Sequence, residues 1–116
     1  MKVKKFVKKA EYPGGSYALK QFIKENLRYP KKALLRKTEG KVVLEYDVLH
    51  EGSTANIRIV KGIGSDCDEE AKRLVGMLKY SSQKNKGLKV STSFKIAIFF
   101  KYPDQKEIKI NYIYVE

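Results

Sequence analysis

Val90, Thr92, Phe94, Ile96, Ile98 and Phe100 are spaced by two along residues 88–101, and Ala97 and Phe99 make the opposite face partly apolar as well. Alternation of this kind sends successive side chains to opposite faces of an extended strand. Such a strand has to sit in a sheet whose inner face is roofed. Residues 41–49 (KVVLEYDVL) supply a second strand, with Val42, Leu44, Tyr46 and Val48 on one face and Val43, Glu45 and Asp47 on the other. His50-Glu51-Gly52-Ser53 is a turn; Ala55, Ile57 and Ile59 mark the returning strand of a hairpin, which Gly62-Ile63-Gly64 breaks.

The roof comes from helices. Tyr12-Pro13-Gly14-Gly15 is a turn, and Ser16 is a suitable N-cap for the helix that carries Leu19, Phe22, Ile23 and Leu27 on one face. Tyr29-Pro30 ends it, because the residue before proline is pushed out of the helical region. Pro30 then opens a short second helix over Ala33, Leu34 and Leu35, closed by Gly40. Ser65 and Asp68 resemble a capping box, and Asp66, Asp68, Glu69 and Glu70 suit the positive end of the helix that follows. Cys67, Ala71, Leu74, Val75 and Leu78 form its apolar stripe, and Glu69 and Arg73 are spaced to pair. Residues 81–87 (SSQKNKG) read as a polar loop, and Pro103-Asp104 as a turn. In 107–115 (EIKINYIYV), Ile108, Ile110, Tyr112 and Tyr114 face one way as a last strand.

The expected order is α-α-β-β-α-β-β, an α+β domain with helices packed on a mostly antiparallel sheet of three to four strands. Three stretches are expected: a basic segment over 1–10, the domain proper over 11–103, and a strand over 104–116 that covers or extends the sheet edge. A chain of 116 residues can bury a core of its own as one domain.

Little chemistry is on offer. One cysteine and one histidine exclude an internal disulfide framework, a multi-cysteine metal site and a two-histidine zinc site. Cys67 lies on an apolar stripe beside Asp66 and Asp68, a setting that raises a thiol pKa and buries the group. His50 sits in a hairpin turn. The GIGSD loop at 62–66 lacks the Lys-Ser/Thr of a phosphate loop and precedes four acids, so it reads as a capping turn. No metal, cofactor or catalytic residue is expected. The longest apolar run, Ile96–Phe100, is far short of the roughly 20 residues of a membrane helix. The stretch MKVKKFVKKAEY has no apolar core of the signal-peptide kind, so the segment reads as soluble.

Charge is the remaining signal. The net charge is +12, of which residues 1–41, with 13 Lys/Arg against three acids, carry +10. Lys2, Lys4, Lys5, Lys8 and Lys9, with Lys31 and Lys32, suit an anionic membrane surface, a nucleic acid or an acidic protein face, or serve simply as solvated charge. The aromatics interleave with lysines as in nucleic-acid binders, yet no RNP-like, KH or zinc-finger pattern is present.

The ordered set of motifs resembles the TonB C-terminal domain family. The run EYPGGSYALKQFIKENLRYPKKA (11–33) matches the family's P-G-G-x-x-A-L-x-x-F-I-x-x-N-L-x-Y-P-x-x-A. EGKVVLEYDVLHEG is similar to G-x-V-x-V-x-F-x-V-x-x-x-G, and CDEEA to C-D-x-E-A, while STSFKIAIFFKYP (91–103) is similar to the last core strand. The family's Trp-x-Pro pair after the last helix is replaced by Tyr80 and Ser82, which keeps an aromatic plug. The resemblance implies a non-catalytic, periplasmic energy-coupling domain that captures the TonB box of a TonB-dependent outer-membrane receptor as an added strand. It also implies an inner-membrane proton-channel motor reached through an N-terminal anchor and Pro-rich spacer, so the chain reads as an excised domain, a stand-alone relative or the tail of another anchored protein.

On that basis the partner strand is expected along Thr92, Ser93, Phe94, Lys95, Ile96, Ala97, Ile98, Phe99, Phe100 and Lys101. Ile108, Ile110, Tyr112 and Tyr114 are expected to cover the same edge, within one chain or by exchange in a homodimer. Two other readings remain open: a small basic nucleic-acid-binding domain, and a sensor or accessory module that uses the same fold. Salt dependence of DNA binding separates the first from a strand-pairing domain.

Overall fold

Val42, Leu44, Tyr46 and Val48 are all fully buried, and their strand, β1 (Gly40–Val48), is the centre of the sheet. The computed structural model describes residues 10–82 and 91–102. Within them the order is α1 (Gly15–Asn26), α2 (Lys31–Arg36), β1, β2 (Thr54–Lys61), α3 (Ser65–Gly76) and β3 (Thr92–Phe100). The sheet order is β2-β1-β3 with both pairs antiparallel, so β1 has a partner on each side. The expected α+β architecture of helices on an antiparallel sheet is what forms, with three strands described.

The two pairings differ. β1 and β3 stay in unbroken register from Gly40 opposite Phe100 to Val48 opposite Thr92. The β1–β2 register slips between Val43 and Leu44 and again between Glu45 and Asp47. The second slip lies beside Asn56, whose φ of 51° is a left-handed conformation that asparagine tolerates. Asp47 pins the three strands there: one carboxylate oxygen accepts from Asn56 Nδ2 at 2.8 Å and the other from Ser93 Oγ at 2.8 Å. Those two hydrogen bonds hold its carboxyl below the ordinary carboxylate range.

The hairpin turn between β1 and β2 requires glycine at position 52. Its φ is 103°, and a Cβ there would lie 2.1 Å from the Tyr80 carbonyl oxygen. The close approach lets the Tyr80 amide donate to the Gly52 carbonyl at 2.9 Å, which ties the turn to the segment after α3.

α3 carries most of the roof, with Cys67, Glu70, Ala71, Leu74 and Val75 buried. Of the expected stripe, Cys67, Ala71, Leu74 and Val75 pack from the helix, while Leu78 is buried just past its end. Helix ends depart from expectation in several places, and α1 already stops at Asn26, with Leu27 as its C-cap, rather than at Tyr29-Pro30. The N-cap of α1 is Gly14, at φ 89°, two residues before Ser16. Pro30 is the N-cap of α2 rather than its first residue, and Lys37 at φ 56° ends it, leaving Gly40 free to begin β1. At α3 the cap is Gly64, and Ser65 makes no capping bond; Asp68 Oδ1 instead accepts from the Ile63 amide at 2.9 Å. Glu69 pairs with Lys72 at 3.7 Å, not with Arg73, because Arg73 is drawn to the buried Glu70 at 2.7 Å. A buried acceptor outcompetes an exposed one for the same guanidinium.

Val90, the 83–87 part of the expected loop, the basic residues Lys2 to Lys9, and the strand bearing Ile108, Ile110, Tyr112 and Tyr114 lie outside the described residues.

Candidate functional site

β3 pairs with β1 along one side, and among the described residues no strand pairs with its other side. Its inward residues bury progressively along the strand: Thr92, Phe94 and Ile96 are half-buried, and Ile98 and Phe100 are fully buried. The outward set, Ser93, Lys95, Ala97 and Phe99, is exposed, as is Lys101 just past the strand; Phe99 is 68% exposed. The ten residues from Thr92 to Lys101 therefore form one continuous edge with an apolar inner row. These are the residues along which the sequence led to the expectation of a partner strand.

The structure adds the opposite wall. α1 runs alongside β3 in the same direction. Tyr12, just before α1, reaches Tyr80 edge-on at 5.5 Å, and Tyr80 stacks on Phe94 at 5.2 Å. Tyr29, just after α1, meets Phe100 edge-on at 5.6 Å. Between the two elements lies a groove of about 680 Å³, walled by Leu19, Ile23 and Leu27 on one side and Ile96 and Ile98 on the other. Lys20, Lys24, Ala97, Phe99 and Lys101 complete its lining. None of the residues of α1 is fully buried, so its apolar stripe is only partly used by the core. A 12-residue helix is about 18 Å long, the span of five or six extended residues.

Sequence reasoning placed Leu19, Ile23 and Leu27 on a core face and did not show that they also line a groove. An amphipathic stripe reads the same whether its cover is the sheet or a guest, so no sequence signal separates the two.

Two polar clusters hold the walls in place. Glu70, 9% exposed, accepts from the Arg28 amide at 2.6 Å and from Arg73 Nε and Nη2 at 2.8 and 2.7 Å. Arg73 Nη2 also donates to the Asn26 carbonyl at 2.8 Å, so the end of α1 is tied to α3. At the other end, the Tyr46 and Tyr80 hydroxyls share a 2.6 Å hydrogen bond in the core. Burial pushes both phenols above their ordinary pKa. Tyr80 is the aromatic plug expected there, 8% exposed and in contact with Tyr12, Tyr46 and Phe94.

The remaining candidates stay outside this site. Cys67 is a free thiol, 1% exposed, and burial, with Asp68, Asp66 and Glu70 nearby, raises its pKa to about 11. A thiol so placed is a packing group. His50 is at the hairpin tip, 3.5 Å from Glu51. Among the described residues no group of three His, Cys, Asp or Glu could hold a metal ion, and no helix is long and apolar enough to cross a membrane. Lys31 and Lys32 are exposed on α2, away from the groove. What the edge offers is a row of backbone donors and acceptors beside an apolar trough.

Comparison with known proteins bears on the family and the fold. The model of the family described as Gram-negative bacterial TonB protein C-terminal matches residues 25–102. The match begins at the end of α1, so that wall of the groove lies almost wholly outside it. The solution NMR structure of the Pseudomonas aeruginosa TonB CTD is similar with a TM-score of 0.53 at 21% identity, covering 63% of this chain and 75% of that one. The Helicobacter pylori TonB-CTD gives 0.47 at 23% identity, covering 73% and 79%. No curated protein sequence matches the chain. The first likeness supports the fold, and the match over residues 25–102, about two thirds of the chain, places the protein in the TonB C-terminal domain family, a family of transport and protein-interaction domains.

Proposed function

We propose that this domain couples energy to outer-membrane transport by taking the N-terminal segment of a TonB-dependent receptor as an added strand on β3. The observation that carries the reading is the edge of β3, with one side paired to β1 and the other facing the groove under α1. Backbone pairing along the edge supplies affinity, and every second guest side chain enters the trough. Several parallel hydrogen bonds loaded together resist a pull, so the task needs no catalytic group. Domains of the family work in the periplasm. An inner-membrane anchor upstream, joined to a proton-channel motor, would supply the pull.

The test is amide hydrogen exchange with a receptor peptide. In an edge strand, alternate amides point away from the sheet, so binding should protect every second amide between Thr92 and Lys101. Ala97→Pro should weaken binding by bending the strand. Protection confined to another element, or a folded Ala97→Pro protein that binds with undiminished affinity, would refute the assignment.

Residues 107–115 are proposed to compete for the same edge through Ile108, Ile110, Tyr112 and Tyr114, from the same chain or from a second copy. A guest strand would then see only the fraction of molecules with a free edge. Truncation after Pro103 should tighten peptide binding or convert a dimer to a monomer. Unchanged affinity and unchanged oligomeric state would show that these residues pair elsewhere. A nucleic-acid partner would instead show steep salt dependence.

A further inference from the structure

We propose that the groove selects for acidic segments: its guest alternates apolar side chains, facing Leu19, Ile23, Leu27, Ile96 and Ile98, with carboxylates that meet Lys20, Lys24 and Lys101. The inference rests on the strand-addition reading and adds the chemistry of the partner to it.

Among the described residues the groove lining contains three lysines and no acid. Lys20, Lys24 and Lys101 are all exposed, and none makes an ion pair with a described residue. Their neighbours behave differently. On the same strand Lys95 has Glu45 at 3.9 Å, a carboxylate it shares with Arg58 at 3.6 Å, so these cations have an acid beside them on the sheet's outer face. Glu39 stands near the Lys101 end, where it accepts from the Tyr102 amide at 2.9 Å, but makes no ion pair with Lys101. Among the described residues, three lysines without an ion pair therefore line the trough.

The placement fits an alternating guest. Lys20 and Lys24 are one turn apart on α1, on either side of Ile23 along the groove wall. Lys101 lies just past β3 and continues the outward set that includes Ala97 and Phe99. A strand laid beside β3 sends every second side chain into the trough and the others to its rim. Long lysine stems lie along apolar surface while their ammonium groups reach outward. Opposite charges placed across such a pair stabilise it, and like charges oppose it.

The experiment uses three acetylated seven-residue peptides that alternate valine with glutamate, with serine or with lysine, titrated into the full chain at low salt. Exposed charge pairs are individually weak, so three together should favour the glutamate peptide over the serine peptide by about tenfold. The lysine peptide should be weakest, and the differences should shrink at about 0.5 M salt. Lys20→Glu/Lys24→Glu/Lys101→Glu should invert the order. The control Lys32→Glu/Arg36→Glu/Lys37→Glu makes the same change in net charge on α2 and should leave the order intact. Equal affinities for the three peptides would overturn the charge preference while strand addition stands. An equal loss in the control would also overturn it, since it would show attraction to overall charge only. Failure of all three peptides to bind would overturn the strand-addition reading, and this inference with it.

Discussion

Replacing Glu70 by alanine is the sharpest test of how the groove is held open. Glu70 is 9% exposed, and its two oxygens accept from the Arg28 amide and from two nitrogens of Arg73, which is 35% exposed. Removing the carboxylate strands the Arg28 amide, at a cost of about 1–2 kcal/mol. Breaking a fully buried pair costs about 3–5 kcal/mol, but a guanidinium this exposed rehydrates, so the pair itself adds nearer 0.5–1 kcal/mol. The expected loss is about 2 kcal/mol, or roughly 10 °C in Tm for a domain of this size. Glu70→Gln keeps an acceptor for the amide and should lose about half as much. The Arg73→Ala variant frees the Asn26 carbonyl, so both substitutions should loosen the end of α1 and weaken peptide binding several-fold with the sheet intact. Urea unfolding of the two single variants and the double variant gives the coupling, expected at about 1 kcal/mol. A Glu70→Ala protein within about 0.5 kcal/mol of wild type, with no coupling to Arg73→Ala, would refute the claim that this cluster ties α1 to α3.

Further outcomes can be checked with the same unfolding assay. Gly52→Ala should cost more than about 3 kcal/mol, since it adds a Cβ 2.1 Å from the Tyr80 oxygen at a left-handed φ; a loss below about 1 kcal/mol would mean the turn is readily rebuilt. Tyr80→Phe should cost about 1–2 kcal/mol by leaving the buried Tyr46 hydroxyl without its 2.6 Å partner, whereas Tyr46→Phe/Tyr80→Phe should recover part of that loss. The folded thiol of Cys67 titrates near 11, above its unfolded value, so the native state holds the proton longer. Stability from this group is therefore complete below about pH 9 and declines by about 2 kcal/mol towards pH 11. Cys67→Ala should flatten that decline while leaving peptide binding unchanged at neutral pH, and rapid native labelling of Cys67 by a thiol reagent would contradict its burial.

The periodicities of the sequence determined the three described strands, their inner faces and the packing stripe of α3. Val42, Leu44, Tyr46 and Val48 could be buried together only as alternate residues of one strand, and Cys67, Ala71, Leu74 and Val75 only as one side of one helix. The composition alone excluded a disulfide framework and a zinc site built on two histidines. Helix ends were less legible, because several residues near each end were competent to cap. Gly14, Lys37 and Gly64 took those places through backbone conformations that depend on how the next element packs. The pairing of Arg73 with Glu70 rather than Glu69 was likewise a tertiary decision, since only the fold makes one of two adjacent acids a buried acceptor. The groove is the strongest case. Leu19, Ile23 and Leu27 satisfy the rule for a core helix, yet the distance between α1 and the edge of β3 leaves them only partly covered. That distance is set by Tyr12, Tyr80 and Phe94 at one end and Tyr29 and Phe100 at the other, contacts between residues far apart in the chain that no local pattern encodes.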